Sequence, residues 1–261
     1  MRSERSAPPA AKNAARASHR KPAPGCGRAA YFLLFIFLAI AAAQSARLGV
    51  AGLFTQLGQL EIDRWASLSR SPNLAEVKRS ERFISDSLGY AADNPWALET
   101  AGALDLAKMR ASKTPREALA ATKDAHSKFR QALRQRPTSP FLWANLALTK
   151  LYLNEIDGEL LAALRLANEL GPWEPTVQQT ALFVGLAVWQ ELDTGLRETF
   201  MQAIERGALR DPQKMLEIVK SYRRLDLICG IGKYEVIAGP DCRKATAAAN
   251  SGELMKPGQH Q

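Results

Sequence analysis

The chain has 261 residues, 46% of them hydrophobic and 23% charged, with a net charge of +9. That length suits one or two domains with a sizeable core, and the composition excludes a wholly disordered or collagen-like chain. Residues 1–28 hold seven basic residues against Glu4 alone, whereas residues 47–242 carry 25 basic and 24 acidic residues, so the body lacks the general excess of cations that binding to nucleic acid requires, and no nucleic-acid partner is expected.

Residues 1–28 are rich in Ala, Pro, Ser, Arg and Lys, offer little to bury, and read as a disordered basic tail. Residues 29–46 contain no charge and include the run Tyr31 to Ile40, which as a helix is roughly 27 Å long and matches a bilayer core. The basic leader before it predicts a cytoplasmic N-terminus and places everything after Arg47 on the far side of the membrane. Three readings of this run are open: a retained signal anchor, which we favour, a cleaved signal peptide with small residues such as Ala41, Ala43 and Ser45 near its end, and a buried core helix.

Beyond the run, Val50, Phe54, Leu57, Leu60, Trp65 and Leu68 recur at helical spacing and predict an amphipathic helix ending near Ser71-Pro72-Asn73. A second helix is expected from Leu74 to Tyr90, with Leu74, Val77, Phe83, Ile84 and Leu88 on one side; together residues 47–90 form linking helices. Strand signals are nearly absent, the one β-like piece being Tyr234 to Ile237, so the body is expected to be all-α. Cys229 and Cys242 bound a glycine-rich segment, residues 227–242, and are a candidate disulfide; two separate buried thiols are the alternative. Residues 243–261 read as a loose tail.

Between residues 91 and 226 the pattern repeats. A proline followed by a helical run recurs at Pro95, Pro140, Pro175 and Pro212. Ala125, Phe129, Ala132 and Pro137 have offsets of four, three and five, Leu160, Leu164, Ala167 and Pro172 repeat them, and Leu196, Phe200, Ala203 and Ala208 repeat them again without the proline. With Trp143, Leu146 and Ala147 in the helix that follows Pro140, these residues resemble the tetratricopeptide repeat in roughly three units. The departures are about eleven extra residues around Arg110 to Glu117 and Gln178 where a Trp would stand. The resemblance implies an α-solenoid whose concave face receives an extended peptide or a partner helix, here through the candidate face Trp143, Asn145, Lys150, Trp173 and Glu174. The whole layout, with Gly171 to Gln178, Val188-Trp189 and the late Cys229, also resembles the VpsP-type small proteins of bacterial exopolysaccharide biosynthesis, which implies a cell-envelope setting.

Signs of catalysis are sparse. His19 and His260 lie in the tails and His126 on a repeat helix, so no metal site, cofactor or catalytic residue is expected. Gly230 to Lys233 lacks the strand and the Ser or Thr of a phosphate loop. Glu155, Asp157 and Glu159 read as a solvated turn with a helix cap rather than a cation site. The basic positions Lys123, Arg130, Arg134, Arg136, Arg206, Arg210, Lys220, Arg223 and Arg224 read as exposed helix faces, and Trp96, Trp143, Trp173 and Trp189 as packing residues. The expectation is therefore a non-enzymatic, single-pass adaptor of the bacterial inner membrane with a periplasmic body and an envelope protein partner from polysaccharide synthesis or export. A glycan-binding or glycan-modifying protein using Trp173 and Glu174, with a polysaccharide partner, and an envelope assembly chaperone are the alternatives.

Overall fold

A computed structural model describes residues 26–68, 70–229 and 238–243. Most of the expected basic tail, the β-like piece Tyr234–Ile237 and nearly all of the C-terminal tail lie outside these residues. The chain divides into two compact units, one up to Ala46 and one from Arg47 onward. Every regular element among the described residues is helical.

The first helix, α1, runs Cys26–Ser67. It is long and apolar enough to cross a membrane, and none of its most apolar window is buried. The helix begins at Cys26 and, in keeping with the helical spacing read beyond the apolar run, continues unbroken past Arg47, because neither Gly49 nor Gly52 outweighs the surrounding helix formers. In the second unit the buried stripe of α1 is Ala51, Thr55, Gly58 and Trp65, while Val50, Leu60 and Leu68 are exposed. Small residues were selected because α2 (Leu74–Tyr90) lies close: Ile84 Cδ1 would stand 2.5 Å from a Cβ added at Gly58, and the Ser87 hydroxyl donates to the Ala51 carbonyl (2.8 Å) and lies 2.8 Å from the Thr55 hydroxyl. For the same reason α2 buries Val77, Ser80, Ile84 and Ser87, and leaves Leu74 exposed and Phe83 half-buried. Asn73 opens α2 with a capping box, accepting from the Glu76 N–H (3.0 Å) while the Glu76 carboxylate accepts from the Asn73 N–H (2.9 Å).

Seven helices follow: α3 (Pro95–Ala111), α4 (Pro115–Leu133), α5 (Pro140–Tyr152), α6 (Gly158–Leu170), α7 (Pro175–Ala187), α8 (Thr194–Arg210) and α9 (Pro212–Ser221). Each of the four repeat prolines is the first residue of a helix, where its missing N–H costs nothing. Pro115 opens α4 in the same way, so the extra residues near Arg110 lengthen α3 and α4 rather than forming a loop. Asp157, Asp193 and Asp211 cap α6, α8 and α9 through backbone N–H groups at 2.7–3.1 Å. Consecutive helices pack on one another throughout, and α5 also packs on α7 and α7 on α9.

The core of this stack is the four-three register. Ala125, Phe129 and Ala132, then Leu160, Leu164 and Ala167, then Leu196, Phe200 and Ala203 are all fully buried. The two aromatic members demand space opposite them: a Cβ at Gly102 would lie 2.6 Å from Phe129, and one at Gly185 would lie 2.4 Å from Phe200. The last layer consists of Ile228, Ala238 and Cys242, with Cys229 bonded to Cys242 (Cα atoms 5.3 Å apart) and Lys220 paired to Asp241 at 2.7 Å. The bridge closes a short loop, so Cys242→Ser should cost about 2–3 kcal/mol and lower the thermal midpoint of the oxidised protein. Adding reductant to the native chain should produce the same drop, and none to the variant.

Candidate functional site

The stacking of α5, α7 and α9 determines which side chains remain outside. Helix α5 buries Leu142, Leu146, Ala147 and Thr149, α7 buries Val177, Gln178, Ala181 and Leu182, and α9 buries Met215, Leu216 and Val219. Along their other side two rows align at a period of 35 residues, Leu148, Phe183 and Ile218, and Tyr152, Ala187 and Tyr222, with Gln179 and Lys214 forming a shorter third whose α5 counterpart, Ala144, is buried. Leu148, Tyr152, Gln179, Thr180, Phe183, Lys214 and Ile218 line a cleft of about 290 Å³.

Two aromatic rings line it, Tyr152 and Phe183, and Tyr222 packs beside them. The Phe183 ring meets Tyr152 edge-on at 6.4 Å and Tyr222 edge-on at 5.5 Å. Ala187, the small member of the second row, lies between the two tyrosines in repeat position. Burial raises the Tyr152 phenol above its ordinary range and, with Tyr152 adding repulsion, pushes Tyr222 up to about 12. Both hydroxyls are therefore neutral donors at neutral pH. Lys214 is the cationic rim, with Glu217 at 3.1 Å. An apolar, aromatic trough with one mixed-charge edge can hold an apolar side chain or helix face by burial.

The five face residues named from sequence are placed differently. Lys150 is only 2% exposed: its Nζ is clamped by Asp157 and Glu159 at 2.9 Å and Glu155 at 3.3 Å. It is thus removed from any partner-binding face, because the acidic turn read as solvated is its counter-charge. Local geometry builds this clamp. Asn154 closes α5 in the left-handed region (φ 57°), which an Asn tolerates, and the Glu155 N–H donates back to the Lys150 carbonyl at 2.9 Å. The Lys150 amine is consequently raised above its ordinary value by its three hydrogen bonds to carboxylates in spite of burial, while Asp157 and Glu159 are lowered, chiefly by Lys150.

Trp143 is half-buried, and its indole N–H donates to the Pro137 carbonyl at 2.7 Å. Gln178 performs the same task one repeat later, donating to the Pro172 carbonyl at 2.6 Å, and is buried for that reason. Gln178→Leu removes this donor but leaves Pro172 its second partner, Arg206 at 3.0 Å. The expected loss is about 1 kcal/mol, measurable as a denaturant midpoint shift at unchanged slope. Asn145 is half-buried on α5, and Glu174 is exposed at the start of α7.

Arginines approach three of the tryptophans. The Arg136 guanidinium lies 3.3 Å from the Trp96 ring centroid and pairs with Glu99, Arg206 is 5.8 Å from the ring centroid of Trp173, and Trp189 has Arg197 at 5.8 Å and Arg224 at 4.8 Å. Arg210 donates to the Trp173 carbonyl. Arg130 pairs with Glu159 at 3.4 Å, Lys220 with Asp241 and Arg224 with Asp226, while Lys123, Arg134 and Arg223 have exposed side chains. His126 faces the Thr149 hydroxyl at 3.1 Å, and burial lowers its pKa. Among the described residues no group of His, Cys, Asp and Glu is arranged to hold a metal ion.

A second cleft, about 310 Å³, lies between α2, α3 and α4 over Ile84, Leu88, Ala101 and Leu104. Two of its charge pairs are matched within the chain, Lys108 to Glu81 at 3.3 Å and Lys128 to the buried Asp105 at 2.5 Å, with the exposed Asp124 on its rim. Sequence reasoning missed Leu148, Tyr152, Gln179, Phe183 and Ile218. Their signal was the period of 35 itself, applied to the residues left over once the buried register had been assigned. No family model matches the chain, and no curated protein matches it.

Proposed function

We propose that the protein is a single-pass, membrane-anchored adaptor whose tetratricopeptide-like body holds a segment of a partner protein in the trough formed by α5, α7 and α9. The observation that carries this reading is the aromatic cluster of Tyr152, Phe183 and Tyr222, the first two lining the trough and all three set in rows that recur every 35 residues. Such rows suit an extended or helical segment, because each helical pair offers it the same kind of subsite in turn. The charge-free run of residues 29–46 supplies the anchor, and the basic residues before it favour a cytoplasmic N-terminus with the body in the periplasm of a bacterial cell envelope. A disulfide between Cys229 and Cys242 is in keeping with that oxidising compartment. The resemblance to VpsP-type proteins puts the partner among the proteins of exopolysaccharide synthesis or export. The glycan-binding alternative would use the exposed Trp173 ring, beside which Arg206 stands at 5.8 Å.

A photo-crosslinking residue at Gln179, introduced into the full chain in its native membranes, should give one discrete protein adduct that is lost on Phe183→Asp. The same probe at Lys123, exposed on α4, should give no such adduct. Equal adducts from both positions, or survival of the Gln179 adduct in the Phe183 variant, would contradict the trough as the docking site. A reporter active only in the cytoplasm, fused to the C-terminus, should remain silent; activity there would overturn the orientation.

A further inference from the structure

We infer that the turn between α2 and α3 is itself a membrane-contacting surface, resting on the phospholipid headgroup layer through Leu48, Tyr90 and Trp96. This inference depends on the anchor reading of residues 29–46. Arg28 and Arg47 bracket 18 charge-free residues, roughly 27 Å of helix, so Arg47 marks the edge of the hydrocarbon core. Arg47 is also committed to the body. Its Nε–H donates to the Tyr90 carbonyl, at the C-terminal end of α2, where the helix dipole favours a cation. That bond brings the α2–α3 turn to the level of Arg47, which is the level of the headgroups.

The side chains around this turn suit such a layer. Leu48 is 60% exposed, Tyr90 43% and Trp96 58%. Tyrosine and tryptophan prefer the membrane interface, where the ring is partly buried and the polar atom remains wet. Tyr90 is fixed in place by Phe54, whose ring stacks on it with centroids 6.0 Å apart and planes 11° apart. The end of α4 lies beside the same turn, because the Gln135 side chain donates to the Asp93 carbonyl. It contributes the exposed Arg134, and Arg136 above Trp96. The acids nearby are Asp93, exposed, and Glu99, already paired with Arg136.

The test uses the full chain with Cys26→Ser, reconstituted in nanodiscs of phosphatidylcholine and phosphatidylglycerol that include a nickel-chelating lipid. Nitroxide labels are placed at Ala92 in the turn, at Lys113 at the other end of α3, about 25 Å along the helix, and at Leu38 in the apolar run. Relaxation by the headgroup nickel should be several-fold stronger at Ala92 than at Lys113, and it should fall by about half on combining Tyr90→Ser with Trp96→Ser at unchanged helicity. Equal relaxation at Ala92 and Lys113, with Leu38 shielded from aqueous nickel and open to oxygen, would sink the contact surface and leave the anchor standing. Leu38 open to aqueous nickel would sink both. Strong broadening between Ala92 labels of neighbouring chains, without sensitivity to nickel lipid, would overturn the lipid assignment in favour of a second copy of the chain.

Discussion

Phe129→Ala is expected to destabilise the helical body by about 3–5 kcal/mol, the largest single effect that the packing predicts. The ring is fully buried and its edge rests on the backbone of α3 at Gly102, where an added Cβ would stand 2.6 Å away. Removing the ring leaves a void that two rigid helices cannot close. Gly102→Ala should also destabilise, by about 1–3 kcal/mol from overpacking, less up to about 1 kcal/mol for the better helix propensity of alanine. The next helical pair points to the rescue, since it carries Ala147 and Leu164, both fully buried, in the corresponding repeat positions. Combining Gly102→Ala with Phe129→Leu should therefore cost clearly less than the sum of the two single variants in a chemical denaturation cycle. Strict additivity would show that the ring and the glycine do not act as a unit.

Lys150→Ala is expected to cost about 1–3 kcal/mol at neutral pH, with a distinctive acid dependence. The substitution removes a buried stem and leaves Glu155, Asp157 and Glu159 facing one another with only Arg130 near, at Glu159. Asp157 and Glu159 have folded-state values below their unfolded ones, so their contribution is fully present above the ordinary carboxylate range and is lost as pH falls through the folded values. Lys150 is shifted upward, so its share is fully present below the unfolded lysine value and is lost only as pH rises beyond it. The gap between native protein and variant should thus be wide at pH 7 and narrow steadily towards pH 3, because protonation relieves the repulsion in the variant while it weakens the clamp in the native chain. Thermal midpoints measured across that range check it; a gap independent of pH would mean that only the packing of the lysine stem matters.

Much of the helical framework was legible in the residues. Pro95, Pro140, Pro175 and Pro212 open helices because a residue without an N–H is harmless at a helix start and disruptive inside one. The four-three offsets at Phe129, Leu164 and Phe200 specify a buried face because that spacing brings side chains to one side of a helix. The faces of α1 and α2 were read only in part: Trp65, Val77 and Ile84 are buried as expected, whereas hydrophobicity also suggests Leu60, Leu68 and Leu74, and the close helix crossing is instead built from Ala51, Gly58, Ser80 and Ser87. Lys150 was misjudged, since a lone lysine in sequence looks solvent-bound until the acids five to nine residues later are folded over it.

By itself, the order of residues determined what is local: the apolar run, the helix starts and caps, and the period with which the stacking register returns. Tertiary structure alone decided which apolar side chains stay outside, so that Tyr152, Phe183 and Tyr222 meet across three helices separated by long stretches of chain. It also decided which charges are consumed internally. Both depend on distances between helices that no spacing along one helix encodes, since a face becomes core or trough only when a neighbour covers it or leaves it open.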